Sequence, residues 1–395
     1  MRNPERAIYL DNNATTQVAP EVIEAVHAAM EMTWGNPSSR HAFGLRANAL
    51  VEEARLAVMR LLGARSPGEI LFTSGGTESI NTAIHAALAA APAGRRRILT
   101  STVEHSAVRQ SLAPWRESGF EVTEIAVDHE GRLDVEACLA ALDSGVALVT
   151  VQLANNETGA LTETEQLARI GEAARASEVP FHLDAVQGPG KVPLAVGELG
   201  CDFLSISGHK FHGPKGVGAL WVRPGAAPLF HPLVRGGPQE DERRGGTQNV
   251  PGIAGIGRAA DLAREWLADG AGARRVRELR DRLESRLLGE IEGARLHAKG
   301  APRLDNTVSV FVPGVEGELL LSSLDAEGLA VSGGAACSSR TKGPSPVLLA
   351  MGYGEEEASG TLRLSLSRLT TAEEIERAAD VLGSVVQDLR GLFSA

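Results

Sequence analysis

Aromatic residues make up only 4% of this 395-residue chain, and lysine is scarcer still, with five lysines against 34 arginines. The charge is acidic: 39 basic against 50 acidic side chains give a net −11. An acidic, aromatic-poor chain has neither the cationic footprint nor the stacking platforms of a nucleic-acid binder. No apolar run approaches the ~18 residues needed to span a bilayer, and the opening MRNPERAIYLDNN has no signal-peptide h-region. Cysteine is rare too. Cys138, Cys201 and Cys337 sit in no CxxC or CxxH pairing, which argues against a disulfide framework or a zinc site. What is present is ordinary for a globular protein, 43% hydrophobic and 23% charged. At roughly 150 residues per domain the length suggests two or three domains. The expectation is a soluble protein of a reducing compartment, the cytoplasm, with no nucleic-acid or membrane partner and size enough to be an enzyme.

From about residue 68 to 223 apolar β-type runs alternate with amphipathic helical stretches. The runs are 70–73, 97–101, 146–153, 179–183, 203–206 and 217–222, with helices such as 77–90 and 165–176 between them. That rhythm predicts an α/β region with a mainly parallel sheet covered by helices on both faces. Most runs are apolar without alternation, as strands buried on both sides are. Beyond residue 256 the pattern changes. A long helix over 256–293 is expected from Val276, Leu279, Leu283, Leu287 and Ile291 at helical spacing. A strand at 307–312, a helix at 317–328, a strand near 361–366 and a final helix opening on the capping-box pattern Thr371-x-x-Glu374 complete a smaller α+β unit.

Five of the expected strands end in polar or glycine-rich clusters: Ser74-Gly75-Gly76-Thr77-Glu78, Val103-Glu104-His105, Asn155-Asn156-Glu157, Asp184 with Gln187, and Ser207-Gly208-His209-Lys210. In an open parallel sheet ligands bind outside the carboxyl ends of the strands, so five clusters on one edge point to one site. Taken singly they stay ambiguous. Ser-Gly-Gly-Thr suits a phosphate at a helix N-terminus but is also a plain strand-to-helix turn. His105 reads equally as a capping or core histidine, and Asp184 as a structural carboxylate. Lys210 is more pointed, because lysine is scarce here and burial makes an amine nucleophilic. A Schiff-base lysine, a carboxylate 26 residues upstream and a phosphate-type turn are what pyridoxal phosphate needs: an anchor, a partner for the ring nitrogen, and a phosphate cradle.

The cysteines separate by context. Cys138 falls on a helix face and Cys201 just before a core strand, positions typical of inert buried thiols. Cys337 lies in Ser332-Gly333-Gly334-Ala335-Ala336-Cys337-Ser338-Ser339-Arg340-Thr341-Lys342. This small, glycine-rich stretch has two cations close enough to favour thiolate. It reads as a reactive loop thiol, with an incidental loop cysteine as the alternative.

These motifs, together with Tyr9-Leu10-Asp11-Asn12-Asn13-Ala14-Thr15-Thr16, Gly245-Gly246-Thr247-Gln248-Asn249 and Leu362-Arg363-Leu364-Ser365-Leu366, resemble the cysteine desulfurases of the nitrogenase and iron–sulfur-cluster type within the class-V aminotransferase superfamily. The resemblance runs nearly end to end. It implies the pyridoxal-phosphate-dependent transferase fold type I, an α/β architecture. A large domain over 15–256 would hold a mainly parallel seven-stranded sheet flanked by helices. Residues 1–14 and 257–395 would form a small α+β domain carrying the cysteine loop at about 332–345. Lys210 would carry the cofactor, Asp184 would pair with its pyridine nitrogen and Gln187 with its phenolate oxygen, and His105 would stack on the ring and move protons. Gly76, Thr77, Ser207 and His209 would hold the phosphate, joined by Thr247 from the second subunit of a homodimer. Asn156 and Arg363 would bind the carboxylate of L-cysteine, with Asn156 also near a cofactor oxygen. Cys337 would accept the sulfur as a persulfide and pass it to an acceptor protein, a cluster scaffold or a tRNA-thiolation relay, leaving L-alanine. No metal is implied. The chain stops soon after Asp388-Leu389-Arg390, without the tail by which cluster-assembly relatives dock their scaffold. Competing readings are a relative acting on selenocysteine or cysteine sulfinate, another class-V enzyme such as a transaminase, which needs no loop thiol, and a non-catalytic paralogue. The last would be expected to lose Lys210, Asp184 or Cys337, and all three are present.

Overall fold

Continuous apolar runs do become strands buried on both faces. The computed structural model describes residues 7–333 and 343–393, without the side chains of 227–229 and 393. After β1 (Ile8–Tyr9), α1 (Pro20–Met32) and α2 (Ala42–Leu62), strands and helices alternate: β2 (Ile70–Thr73), α3 (Gly76–Ala89), β3 (Arg97–Ser101), α4 (Ser106–Glu117), β4 (Glu121–Ile125), α5 (Val135–Ala141), β5 (Val146–Gln152), α6 (Thr164–Ala176), β6 (Phe181–Asp184), β7 (Phe203–Ser207) and β8 (Gly218–Val222). Every residue of β2, β5, β6, β7 and β8 is buried. These strands form one seven-stranded sheet in the order β2-β8-β7-β6-β5-β3-β4. All its pairs are parallel except those of β8, which runs antiparallel to β2 and β7. The short link from β7 to β8 carries no crossover helix, so β8 can only return antiparallel.

Successive side chains go to opposite faces. Leu71 joins the apolar layer under α3 and α4, while Ile70 and Phe72 join the layer under α2 and α7. The same alternation sets the register that matters for chemistry. Gln152, Asp184 and Ser205 are aligned across β5, β6 and β7, one strand-width apart.

The second half contains α7 (Val250–Leu267), α8 (Ala271–Glu290), β9 (Arg295–Leu296), β10 (Thr307–Phe311), α9 (Gly317–Ala326), β11 (Leu329–Ala330), β12 (Ser332–Gly333), α10 (Pro346–Ala350), α11 (Glu355–Ser359), β13 (Thr361–Ser365) and α12 (Ala372–Phe393). Strands β12-β13-β10-β9 make an antiparallel sheet, with its own apolar core against α8, α9 and α12. The N-terminal β1 pairs parallel with β11 beside it. Residues 11–16 then cross to the large sheet, where Thr16 N donates to His209 O at 2.9 Å. A small fourth core of Val103, Val347, Leu348, Met351 and Ala358 ties the turn after β3 to α10 and α11.

Three local expectations need correction. The single helix over 256–293 is two helices, α7 and α8. Gly270 sits between them at φ +69°, a left-handed conformation that glycine adopts at no steric cost. Helix α7 also begins earlier, where Asn249 Oδ1 caps Gly252 N at 3.2 Å. Strand β4 was not anticipated, because Glu121 and Glu124 break its apolar signal at the sheet edge, where charge is favoured. The run at 179–183 is ordered as β6 over Phe181–Asp184, so Asp184 is the last strand residue rather than the first after it. The capping box at α12 is present in both directions, Thr371 N to Glu374 Oε2 at 2.8 Å and Glu374 N to Thr371 Oγ1 at 3.2 Å. Among the described residues no helix is long and apolar enough to cross a membrane.

Candidate active site

The carboxyl edge of the parallel strands opens into a cavity of ≈ 220 Å³ whose lining includes Gly76, Thr77, His105, Asn156, Asp184, Gln187, Ser207, His209 and Lys210. Nine residues singled out in the sequence, from five separate strand ends, therefore face one space. Arg363 lies on β13 in the other sheet but reaches the rim, where its Nη1 donates to Asn156 O at 3.0 Å. Thr247 is exposed and is not part of this lining. Cys337 lies outside the described residues.

Burial sets the protonation of the cavity. The Asp184 carboxyl is pushed up to about 6, chiefly by burial, against the opposing pull of the Val186 N–H and Lys210. Its Oδ1 accepts from Val186 N at 3.0 Å. His105 is pushed down to about 4 by burial, Lys210 and Arg109. Its Nδ1 accepts from Ala107 N at 3.1 Å, capping α4, so the neutral ring carries its proton on Nε2. His105 is thus both a capping residue and a cavity residue, two readings the sequence left as alternatives. His209 is likewise lowered to about 4, by burial and then Lys210, Lys215 and Lys191. The Lys210 amine donates to Asn13 O at 2.6 Å and Ala14 O at 2.9 Å.

The residues fit pyridoxal phosphate on three observations. The Ser207 hydroxyl is buried with no hydrogen-bond partner among the described residues, a costly state that a phosphate oxygen would relieve. The backbone of Gly76 opens α3 so close to its surroundings that a Cβ there would lie 2.8 Å from Val186 Cγ2. Free N–H groups of that first turn suit an anion. Asp184, whose carboxyl burial raises to about 6, is a carboxylate that a protonated ring nitrogen would keep ionised. Among the described residues no group of three or more His, Cys, Asp or Glu side chains is arranged to hold a metal.

A profile of the class-V aminotransferases matches residues 8–378. The chain belongs to the class-V aminotransferase family. Within it, this chain is 49% identical over 386 residues to a cysteine desulfurase of Cereibacter sphaeroides, covering 98% of this chain and 97% of that protein. Two solved structures are similar in fold. One, described as a NifS-like protein, has a TM-score of 0.89 and 37% identity, covering 97% of this chain and 100% of its own. The other, a NifS-like protein from Rickettsia africae, has a TM-score of 0.84 and 32% identity over 97% of this chain and 100% of its own.

Other residues of this class-V site were not singled out in the sequence. Asn13, 1% exposed, is a hub. Its backbone O accepts from Lys210 Nζ and from Gln187 Nε2, the latter at 3.0 Å. Its Nδ2 donates to Thr307 Oγ1 at 2.9 Å and Asn156 O at 3.2 Å. Glu104 is fully buried beside His105, and burial pushes its carboxyl up to about 8. Its Oε1 accepts from Ser101 Oγ at 2.6 Å and Gln152 N at 3.0 Å. Glu157 accepts from Ser345 Oγ at 2.5 Å, fastening α10 next to Asn156. The signal for Asn13 was its place in a polar run directly after Ile8-Tyr9-Leu10, the same strand-end pattern that marked the other clusters. Glu104 and Glu157 were inside quoted motifs without a role.

Proposed function

We propose that this chain is a pyridoxal-phosphate-dependent cysteine desulfurase. It takes the sulfur of L-cysteine onto Cys337 as a persulfide and releases L-alanine. The observation that carries the reading is the convergence of Lys210, Asp184 and His105 on one cavity with, at the phosphate end, a buried Ser207 hydroxyl that has no partner among the described residues. The bound cofactor supplies an electron sink for the substrate's α-carbon. This chain's own residues do the rest. Asp184 holds the proton of the ring nitrogen, Ser207 and the first turn of α3 hold the phosphate, and Lys210 supplies the amine. Proton movement is assigned to His105 Nε2, since Nδ1 is engaged by Ala107.

Arg363 supplies the carboxylate site. Its Nη2 is held by Asp11 Oδ1 at 2.6 Å, and its Nε is buried without a partner among the described residues. A guanidinium so fixed is preorganised for a carboxylate. Ser332 pairs with Arg363 and Gly333 with Leu362. Cys337 follows Gly333 by four residues, so covalent geometry keeps the two Cα atoms within about 14 Å. The sulfur acceptor is therefore tethered to β12, the strand paired with the one that carries Arg363. Cys138 and Cys201 are buried. Burial pushes the Cys138 thiol up to about 11 and that of Cys201 higher still, which disqualifies both as nucleophiles.

The same reading includes a homodimer, a cytoplasmic setting, and an acceptor protein of the iron–sulfur scaffold or thiolation-relay kind. Support for the dimer comes from an apolar patch between α1 and α2. Met30, Met32, Trp34, Phe43 and Leu45 are each at least half exposed, and the Trp34 and Phe43 rings stack at 5.0 Å. Such a patch marks an interface, and the exposed Thr247 is free to serve a neighbouring site. Unpaired buried cysteines fit a reducing compartment.

Borohydride reduction of the coloured protein followed by peptide mapping tests the cofactor site. The cofactor mass is expected on the peptide containing Lys210. Label on another lysine, or a colourless protein that cannot be reconstituted, would overturn the reading. Alanine release measured on cysteine, selenocysteine and cysteine sulfinate separates the desulfurase from its competitors.

A further inference from the structure

A second lysine stands behind the cavity. Lys191, on the turn after β6, is half-buried, and its Nζ donates to Asn13 Oδ1 at 3.1 Å and to Gln187 Oε1. We propose that Lys191 is a positioning residue that fixes the side-chain amide of Gln187 as a hydrogen-bond donor toward the cofactor pocket. The proposal rests on the reading of Lys210 as the cofactor lysine, and it adds a determinant of how that cofactor is tuned.

The amide of Gln187 has one acceptor and two donors. Lys191 claims the acceptor. Gln187 Nε2 gives one N–H to Asn13 O at 3.0 Å, and its second N–H is left for the cavity that Gln187 lines. Flipping the amide would set Nε2 against the lysine Nζ, donor against donor, and Oε1 against the Asn13 carbonyl, acceptor against acceptor. Two bonds would be lost and two repulsions gained around the buried Asn13 and Gln187 side chains. Asn13 cannot yield, because its backbone N donates to Ser365 Oγ at 2.9 Å and its Oδ1 also accepts from Asn306 Nδ2 at 3.1 Å.

Lys191 acts here as a donor, to Asn13 Oδ1 and Gln187 Oε1, although burial, Lys210 and Arg363 push its amine below the usual lysine range. The other charged or titratable groups around it are His209 and His212, whose pKa values it depresses, and Asp305 and Arg368 on the wall of the adjoining cavity.

A donor at the cofactor's phenolate oxygen stabilises that anion and weakens the chromophore's hold on its proton. Lys191→Met removes both N–H bonds at nearly constant shape and frees the amide to turn. The expected result is an upward move of the pH midpoint of the holoenzyme's visible absorbance, by about tenfold in proton affinity, or one pH unit. Lys191→Gln keeps an NH₂ donor and is expected to hold the wild-type midpoint within about twofold, so the test does not depend on the methionine variant folding. In a Gln187→Ala background Lys191→Met is expected to move nothing further, because the effect passes through Gln187. An unchanged midpoint in Lys191→Met, the methionine-type shift in Lys191→Gln, or a full shift persisting in the Gln187→Ala background would each overturn the assignment. Wild-type protein with no visible band would instead overturn the underlying function, a distinct result.

Discussion

Replacing Glu240 by glutamine isolates a buried charge pair packed against β2. Glu240 is paired bidentately with Arg55, Oε2 to Nη1 at 2.7 Å and Oε1 to Nη2 at 2.9 Å, and the two side chains are only 1% and 8% exposed. Glu240 also accepts from Phe72 N at 3.1 Å and Gln248 Nε2 at 2.6 Å. The pair anchors a segment in which Glu240, Asp241 and Glu242 all adopt positive φ, +51°, +56° and +64°. Three consecutive side-chain-bearing residues persist in that conformation only where contacts impose it. Removing one partner of a buried ion pair costs about 3–5 kcal/mol. Opening of the segment lets water reach Arg55, so the low end, about 3 kcal/mol, is expected for Glu240→Gln. The assay is urea unfolding at fixed cofactor and protein concentration, since ligand and oligomer both shift apparent stability. Burial alone would raise the Glu240 carboxyl, but Arg55, Gln248 and the Phe72 N–H together hold it below the usual range. A depressed folded-state pKa gives stability that is complete above the unfolded value near 4.5 and lost as pH falls through the folded one. The gap between wild type and variant is therefore expected to be full at pH 7 and to close in acid. A loss below about 1 kcal/mol at pH 7, or a gap that widens in acid, would refute the reasoning.

Two other perturbations test separate parts of the site. Ser207→Ala removes a hydroxyl with no partner among the described residues; thermal stability of the apoprotein should hold while cofactor affinity falls about tenfold or more, read by equilibrium dialysis. Glu104, whose folded-state carboxyl is raised to about 8, is protonated in the fold while its unfolded form ionises near 4.5, so it penalises folding increasingly as pH climbs between those values. Glu104→Gln should flatten that slope and raise apoprotein stability at pH 8 by an amount on the order of a few kcal/mol, while leaving acid stability unchanged.

The large sheet was legible because its strands are uninterrupted apolar runs, and the site was legible because each run ends in a polar cluster. Strand β4 was not, since an edge strand tolerates Glu121 and Glu124 and loses the apolar signature. The break between α7 and α8 was hidden because Gly270 acts through its dihedral angle while the apolar spacing continues on either side. Asn13 and Lys191 escaped for a different reason. Their roles come from long-range contacts, Asn13 with Lys210 and Ser365 and Lys191 with Asn13, and no local pattern encodes which distant oxygen a buried donor will meet. Scarcity was the one clue to Lys191. With five lysines in the chain, one next to Asp184-Ala185-Val186-Gln187 was already unusual.

The central claim is sulfur transfer to Cys337, and persulfide mapping measures it most directly. Wild type, Cys337→Ser, Cys138→Ser and Cys201→Ser are each incubated with L-cysteine, alanine is quantified, and the persulfide is located by mass spectrometry. The account predicts persulfide on Cys337 alone, with matching alanine from wild type and from the Cys138 and Cys201 variants. Cys337→Ser should keep its cofactor and still bind cysteine, with alanine output reduced by a factor on the order of a hundred or more. Equal alanine from wild type and Cys337→Ser would contradict the mechanism and point to a lyase that releases sulfide without an enzyme thiol.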